Sequence, residues 1–419
     1  MSNSPVVAEV QTSDSAIWRL RPFVIGLFFC WGFSTVLVDT LIPRLKALFT
    51  LSYVEVMLTQ FCFFLAYCLV SMPAGALISR VGYVRGIVIG LSTMTVGCLL
   101  FIPASSVAQY ELFLLALFVL ASGITILQVA ANPLIAALGT SETASSRLNL
   151  AQAFNSFGTF IGPFFGAWLI LGAVSSSTDV GAQVAIEAGH LKLPFLYIAA
   201  GLALLTAVFA AFWRTPPLGA AVQSDAGVLS ALALLQRRRC RLGALSIFLY
   251  VGAEVSIGSL LTNYLMSQHT LGLVAAAAGR LVAFYWGGAM VGRLLGSLIM
   301  QRVSPSIVLA VCALSAAGLA TLSALSAGAL AGYSAIAIGL CNSIMFPTVF
   351  TLSIFGLNER TPQGAALLCL AIVGGAIVPL LTGLTADHLG LSLWLFVPVL
   401  CYLWIATFGW LCYSGRVDA

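Results

Sequence analysis

Twelve long apolar segments constrain this chain more than any other feature of its sequence. A membrane-spanning helix needs roughly 20 apolar residues. The segments that meet this requirement are 22–44, 54–78, 86–103, 110–137, 147–173, 194–213, 242–267, 274–300, 304–325, 329–355, 363–386 and 391–413. Only 7% of the 419 residues are charged, whereas soluble domains have about 25%. The sequence therefore predicts an all-α membrane protein with twelve transmembrane helices.

The basic residues are distributed unevenly among the predicted loops. If the N-terminus is cytoplasmic, 14 of the 18 lysines and arginines lie on that side, and only Arg44, Lys46, Lys192 and Arg280 lie outside. The positive-inside rule then predicts that both termini are cytoplasmic. This bias also explains the net charge of +5 without a nucleic-acid partner. Because the start of the chain lacks the pattern of a cleaved signal peptide, we expect the first segment to remain in the protein.

The longest predicted cytoplasmic connection divides the chain into two halves. We expect a tail over 1–21, a six-helix bundle over 22–213, a linker over 214–241, a second six-helix bundle over 242–413 and a tail over 414–419. The stretches GALISRVGYVRG (75–86) and GRLLGSLIMQRVSPS (292–306) are weakly similar to each other. Two related six-helix units are typical of a transporter that rocks its halves about a site near the middle of the membrane.

Polar residues at helical spacing mark the fourth and fifth segments. They are Thr125, Gln128 and Asn132 on one face of the fourth, and Asn149, Gln152, Ser156 and Thr159 on one face of the fifth, with Asn155 beside them. An unpartnered polar group facing lipid costs several kcal/mol or so, and both faces must therefore point inward. They either hold helices together, at about 0.6 kcal/mol per contact, or line a cavity that binds hydroxyl groups.

Two acidic residues, Asp39 and Glu254, lie well inside the apolar segments. A charge at the centre of the bilayer costs on the order of 3 kcal/mol, and burial favours the neutral form of a carboxyl group. Such an acid can hold a proton and release it on hydration, which is what proton coupling requires. The alternative is a structural acid paired with a neighbouring arginine such as Arg44 or Arg293.

The stretch GALISRVGYVRG, which contains Gly75, Arg80, Gly82 and Arg85, resembles the loop 2–3 signature of the major facilitator superfamily. It departs at Ser79, where that family usually has an aspartate, and we therefore expect gating without a charge relay built on this position. With AANPL (130–134), RLNLAQAFNSFG (147–158), YVGAEVSIGS (250–259) and FPTVFTLSI (346–354), the chain is similar to the fucose–galactose–glucose:proton symporter family over about 22–413. The resemblance implies two pseudo-symmetric six-helix bundles in a monomeric carrier of the bacterial inner membrane.

The resemblance also implies which segments line the cavity: one, four, seven and ten, with a contribution from segment five. Asp39 matches an important acid of fucose permeases, whereas Gln128 replaces their second acid and Glu254 stands where they have a glutamine. Phe346 replaces a tyrosine of the fucose permeases. These departures favour the glucose/galactose branch over fucose permease.

Candidate residues for sugar binding combine amides, which take hydroxyl groups, with aromatic rings, which pack on the faces of a pyranose. They are Trp31, Gln128, Asn132, Gln152, Asn155, Asn342, Phe346 and, more weakly, Asn263 and Trp286. On helical spacing Trp31 shares a face with Asp39, and Asn342 shares one with Phe346. Either ring could instead be a packing residue. Arg293 joins the loop 2–3 residues as a gating candidate.

The sequence thus predicts a hexose:proton symporter, for glucose or galactose, that works by alternating access. The alternatives are a symporter of N-acetylglucosamine, mannose or fucose, a sodium-coupled sugar carrier, a uniporter, and a metabolite or drug exporter. No Ser–His–Asp set, phosphate loop or metal-ligand cluster stands out among the motifs, and the ten cysteines form no CxxC pair. We therefore expect no enzymatic activity, no cofactor and no metal.

Overall fold

A computed structural model describes residues 21–36, 53–107, 109–166, 180–213, 228–390 and 393–417, and these ranges contain helices and turns but no strand. In the first half the helices are α1 (Arg21–Val36), α2 (Tyr53–Val81), α3 (Tyr83–Val107), α4 (Tyr110–Ala137), α5 (Ala144–Gly166) and α6 (Val180–Ala211). Asp39, Arg44 and Lys46 lie outside the described residues.

The second half begins after a short helical turn, Val228–Leu232, in the predicted linker. Its helices are α7 (Arg238–Met266), α8 (Ala275–Ile299), α9 (Pro305–Leu325), α10 (Gly328–Asn342 and Met345–Ile354), α11 (Thr361–Leu370 and Gly374–Leu389) and α12 (Phe396–Tyr413). The α7 helix therefore starts before the predicted end of the linker at 241. Both α10 and α11 are interrupted, the second by a 3-10 turn over Ala371–Val373.

The described helices account for the predicted all-helical membrane architecture. Nine stretches within these ranges are long and apolar enough to cross a bilayer, and Arg21–Val36 and Phe195–Ala211 are shorter apolar helices. The polar stripe of α5 explains why α5 is not among the nine long apolar stretches. Together with α5, the nine stretches and the two shorter helices make twelve segments. The α6 helix begins at Val180 rather than at 194, because helical hydrogen bonding can continue past the stretch that is apolar enough to meet hydrocarbon.

Helix contacts group the chain into two halves that meet along specific pairs. In the first half α3 packs against α4 and α6, and in the second α9 packs against α10 and α12. Between the halves α2 contacts α11, and α5 contacts α8 and the second part of α10. Gly75 permits the first of these contacts, because a Cβ at this position would lie 2.5 Å from that of Ala366.

We call one end of the bundle the linker face. It carries the turn at Gly82 between α2 and α3, the turn at Gly139 between α4 and α5, the linker turn Val228–Leu232 and the α8–α9 connection over 300–304. The halves touch near this face, because α5 begins there, α8 ends there, and residues at both ends contact each other. The structure is therefore closed at the linker face.

Candidate substrate and coupling site

A run of hydrogen bonds connects the two polar stripes and crosses to the second half. Gln152 of α5 donates from Nε2 to Oδ1 of Asn132 on α4 at 3.3 Å. The backbone carbonyl of Gln152 accepts a bond from Nη1 of Arg293 on α8 at 3.2 Å. Arg293 also donates from Nε to the carbonyl of Ser343, at 3.0 Å, in the interruption of α10. The structure therefore brings Asn132, Gln152 and Arg293 together beside Asn342.

Asn342 ends the first part of α10 and is fully buried. Its Nδ2 donates to the hydroxyl of Tyr285 on α8 at 2.7 Å, while its Oδ1 has no hydrogen-bond partner. The hydroxyl of Tyr402 on α12 is also buried, and it interacts with Tyr285 and with the side chain of Asn342. Asn132 has the converse arrangement, since its Oδ1 is bonded and its Nδ2 has no partner. One open donor, on Asn132, and one open acceptor, on Asn342, thus lie within this buried network.

Glu254 lies in the middle of α7 and is partly exposed. One of its carboxylate oxygens accepts a hydrogen bond from the hydroxyl of Tyr250, one turn earlier, at 2.7 Å. Glu254 also interacts electrostatically with Arg293 and with Tyr285. The predicted acid of the second half therefore belongs to the same neighbourhood as Asn342 and Arg293.

Gln128 of α4 is buried, and its Nε2 donates to the hydroxyl of Tyr67 on α2. The ring centroid of Tyr67 lies 5.5 Å from that of Phe63, and Tyr67 interacts electrostatically with Cys369 of α11 in the second half. This bond fixes the amide of Gln128 near the contact between α2 and α11. Nothing in the sequence marks Tyr67 as the partner of Gln128.

Asn155 holds α5 against α1. Its Nδ2 donates to the backbone carbonyl of Phe28 at 3.0 Å. The ring of Phe28 lies 5.5 Å from that of Trp31, which is 7% exposed. One function of Asn155 is thus to hold two helices together, which the sequence offered as the alternative to sugar binding. Its Oδ1 remains available for another contact.

The other candidates are placed less closely around this network. Phe346 is 9% exposed, and its ring lies 6.0 Å from that of Phe350. A turn at Ser343 and Ile344 separates Asn342, which ends the first part of α10, from Phe346 in its second part, and the predicted shared helical face stays a prediction. Asn263 is exposed and lies about 13 Å beyond Glu254 along α7. Trp286 is 41% exposed and packs edge-on against Tyr285.

Arg147, the first residue of the motif RLNLAQAFNSFG, fixes the turn that connects the two polar stripes. It donates to the carbonyls of Ile135 and Ala136 at the carboxyl end of α4 and to Oγ1 of Thr143. A cation that binds the last carbonyls of a helix stabilises its end. Gly139 is required beneath it, because its φ is +145° and a Cβ would lie 2.7 Å from Nη1 of Arg147. The arginine thereby sets the register of α4 against α5.

A set of neutral side chains, which we call the hydroxyl latch, joins the halves at the linker face. Its members are Ser145, Ser146 and Asn149 of α5, Ser297 of α8, and Thr348 and Thr351 of α10. Ser146 and Ser297 each donate to the backbone carbonyl of the other, at 2.7 and 2.9 Å. Nδ2 of Asn149 donates to Thr348 at 3.2 Å, and the hydroxyls of Ser145 and Thr351 lie 2.6 Å apart.

The loop 2–3 residues also lie at the linker face. The hydroxyl of Ser79 is buried and donates to the carbonyl of Ala76 in its own helix at 2.9 Å. Arg85 lies over the ring of Trp213 at 5.5 Å and donates to its carbonyl, whereas Arg80 is exposed. The hydrogen bonds of Arg293 run to α5 and α10. The described contacts that close this face are therefore the hydroxyl latch, Arg293 and the packing at Gly75.

The fold and this polar network define a class of protein: a polytopic membrane carrier with two helical halves around a central site. The sequence model of the Major Facilitator Superfamily matches residues 23–366. A glucose/galactose transporter of Brucella abortus is 48% identical over 97% of both chains, and the L-fucose-proton symporter of Escherichia coli is 34% identical over 92% of both. A crystal structure of the transporter FucP in the outward conformation superposes with a TM-score of 0.87 at 31% identity, covering 94% of this chain and 98% of that one.

The chain belongs to the major facilitator superfamily, as its loop 2–3 signature indicated. Its relatives are carriers rather than enzymes. The tyrosines that surround the candidate site were missed in the sequence. For Tyr250 a signal was present, since it precedes Glu254 by one helical turn, but Tyr67, Tyr285 and Tyr402 have no such spacing to a selected residue.

Proposed function

We propose that this protein is a hexose:proton symporter that carries glucose or galactose by alternating access. The observation that carries the proposal is the run of hydrogen bonds from Asn132 through Gln152 to Arg293, which brings polar groups of both halves to one place. Gln152 lies about 12 Å from the start of α5, well within a bilayer core of roughly 30 Å. The 48% identity to a glucose/galactose transporter favours these two hexoses.

The sugar is bound by the amides of Gln128, Asn132, Gln152, Asn155 and Asn342. Two of these amides have open hydrogen-bonding atoms, a donor on Asn132 and an acceptor on Asn342. A sugar hydroxyl can both donate and accept, so it satisfies either atom. Since an unsatisfied buried polar atom costs about 1–3 kcal/mol, this satisfaction favours binding. The rings of Trp31 and Phe346 supply the apolar surface against which the pyranose packs.

The proton is carried by Glu254 or by Asp39. Glu254 accepts a hydrogen bond from Tyr250 and interacts electrostatically with Arg293, which is bonded to α5 of the first half. A change in the charge of Glu254 therefore acts on both halves. The identity to a proton symporter of fucose favours the proton over sodium as the coupled ion. A sodium-coupled carrier and a uniporter are the alternatives that the transport experiment distinguishes.

The linker face is the cytoplasmic face, by the distribution of basic residues. With that face closed, the structure represents an outward-facing state of a monomeric carrier in a bacterial inner membrane. The similarity to a relative in the outward conformation supports this assignment of state.

Transport in proteoliposomes tests the proposal. Purified protein takes up labelled glucose and galactose while an inward proton gradient or an inward sodium gradient is imposed separately. We expect accumulation of at least one of these hexoses with the proton gradient alone. Accumulation with sodium alone would make the protein a sodium-coupled carrier, and equilibration without accumulation would make it a uniporter. Transport of mannose, fucose or N-acetylglucosamine but neither hexose would overturn the assignment of substrate.

A further inference from the structure

Most hydrogen bonds between the halves are made by neutral hydroxyls and amides, but Arg293, which is charged, also makes such bonds. Along α5 and α8 these contacts form an antiparallel series that starts at Ser146 with Ser297 and proceeds inward to Gln152 and Ser156 with Arg293. Arg293 is therefore the innermost contact of this series and the one next to the candidate site. Its two bonds across the interface reach a backbone carbonyl and a serine hydroxyl, and no carboxylate of the described residues accepts a hydrogen bond from it there.

Glu254 competes for the same guanidinium. Among the described residues, the groups that interact with Glu254 are Tyr250 of its own helix, Arg293 and Tyr285 of α8, and Tyr402 of α12. Of these, Arg293 is the cation. Its hydrogen bonds, however, go to Ser343, Gln152 and Ser156. An ionised Glu254 attracts the guanidinium away from α5, whereas a protonated Glu254 leaves it there, because charge-assisted bonds to a carboxylate are the stronger kind.

We propose that Arg293 is a positioning residue that links the protonation of Glu254 to closure of the linker face. With Glu254 protonated, Arg293 stays bonded to α5 and the face is closed. With Glu254 ionised, Arg293 turns toward the carboxylate, and the innermost contact between the halves is lost. This inference rests on the proposed function, and it names the contact through which proton and conformation are coupled.

The linkage has the sign that a symporter requires. If protonation of Glu254 favours the closed linker face, then thermodynamic reciprocity makes the closed state bind the proton more tightly than the open state. The proton is then taken up while the site faces the outside. Once the face opens, Arg293 is free to approach Glu254, and a nearby cation favours loss of a proton from a carboxyl group. The proton is thus released toward the linker.

Distances across the linker face test the proposal in the full-length protein. Nitroxide labels are attached at Ser141→Cys and Ser304→Cys, two exposed positions on opposite halves, in a chain whose ten native cysteines are replaced. The ratio of closed to open molecules is measured at pH 5.5 and pH 8.5 in lipid nanodiscs. For the labelled protein that keeps Glu254 and Arg293, we expect the ratio of closed to open molecules to be about tenfold higher at the acidic pH. For Glu254→Gln we expect the acidic ratio at both pH values.

The Arg293 variants distinguish a link from a simple structural contact. We expect Arg293→Gln to open the face at the acidic pH, to have little effect at the alkaline pH, and so to abolish the pH dependence. In the Glu254→Gln background it should open the face at both pH values, because there the guanidinium stays bonded to α5. Arg293→Lys, which keeps the charge, should retain part of the pH dependence and serves if the glutamine variant fails to fold. Arg280→Gln, at the other end of the same helix, removes an equal charge and should behave as the parent. If Arg293→Gln and Arg293→Lys each change the ratio equally at both pH values while Glu254 is present, Arg293 is only a structural contact and the proposal is wrong.

The same samples separate this proposal from the proposed function. Uptake of glucose or galactose is measured for the labelled parent protein under an imposed proton gradient. Proton-driven uptake without a pH-dependent distance overturns the role of Arg293 and leaves symport standing. A pH-dependent distance that Arg293→Gln abolishes, with no hexose uptake, supports the link and overturns the choice of substrate.

Discussion

Arg293 donates a hydrogen bond to the backbone carbonyl of Gln152, not to its side chain. The side-chain amide of Gln152 is used separately, in the bond to Asn132. One residue therefore takes part in closure through its main chain and in the candidate binding site through its side chain. Because a substitution changes only the side chain, mutation of Gln152 can separate the two functions.

We predict that Gln152→Ala weakens hexose binding about tenfold to a hundredfold without opening the linker face. The substitution removes the hydrogen bond that Oδ1 of Asn132 accepts from Gln152. An unsatisfied buried group costs roughly 1–3 kcal/mol. Calorimetric titration of the purified variant measures the affinity. Gln268→Ala, which removes an exposed amide outside the helices, is the matched control. Affinity equal to that of the parent would mean that the stripe on α5 only holds helices together.

Asn155→Ala should also weaken binding, but with a different accompanying change. Its Nδ2 bond to Phe28 ties α5 to α1 at 3.0 Å, so its loss costs about 1 kcal/mol of stability in addition to any lost sugar contact. Thermal unfolding with and without saturating sugar separates the two effects. A lowered midpoint together with unchanged affinity would assign Asn155 a structural function alone.

The sequence was sufficient for the class of fold, and it was sufficient to select several residues of the candidate site, whose functions stay predictions. Segments such as 110–137 could be predicted because a bilayer imposes one length and one polarity on every spanning helix. Gln152 and Glu254 could be selected because a polar group in an apolar segment is costly and therefore conspicuous. Hydropathy does not report where a helix is interrupted, and the break after Asn342 went unpredicted for that reason.

Other parts of the site could not be predicted because their chemistry lies in pairings rather than in residue types. Tyrosine is common in apolar segments, and nothing in its position identifies Tyr67 as the partner of Gln128 or Tyr285 as the partner of Asn342. Arg293 was selected as a gating residue, but its acceptor on α5 is a backbone carbonyl, which every residue possesses. Only the packing of α8 against α5 shows which carbonyl it is.

We predict that Tyr67→Phe weakens sugar affinity about twofold to twelvefold. The hydroxyl of Tyr67 accepts the hydrogen bond that fixes the amide of Gln128, and loss of a net hydrogen bond is worth roughly 0.5–1.5 kcal/mol. The ring stays, and its packing against Phe63 should be preserved. Counterflow of labelled sugar at graded concentrations gives the affinity, with Tyr197→Phe, which is 58% exposed, as the control. An equal effect of both substitutions would contradict a specific function for this pair.

We predict that Thr348→Val shifts the protein toward an open linker face by a factor of about 2 to 12. The change keeps the shape of the side chain but removes the hydroxyl that accepts from Asn149, at a cost of about 0.5–1.5 kcal/mol to the closed state. The distance between nitroxide labels at Ser141→Cys and Ser304→Cys, two exposed positions on opposite halves, reports the opening. Thr407→Val is the matched control, because Thr407 is exposed and bonds only within its own helix. An unchanged ratio of closed to open molecules for Thr348→Val would show that the hydroxyl latch does not hold the face closed.

The last prediction concerns which acid carries the proton. Glu254→Gln imitates a permanently protonated side chain, since an amide cannot discharge on the cytoplasmic side. Net accumulation requires that discharge, whereas exchange of sugar for sugar requires only reorientation of the loaded carrier. We therefore expect Glu254→Gln to lose proton-driven uptake, to the background of protein-free vesicles, and to retain counterflow.

Asp39→Asn is the necessary companion, because Asp39 is the other acid inside an apolar segment. If Glu254 carries the proton, Asp39→Asn still concentrates sugar under a proton gradient, whatever its effect on affinity. If instead Glu254→Gln concentrates sugar and Asp39→Asn does not, the coupled proton belongs to Asp39, and the electrostatic interaction of Glu254 with Arg293 has some function other than coupling. If both single variants and the double variant still concentrate sugar, neither acid takes part in coupling. The double variant has no titratable carboxyl group left well inside the apolar segments.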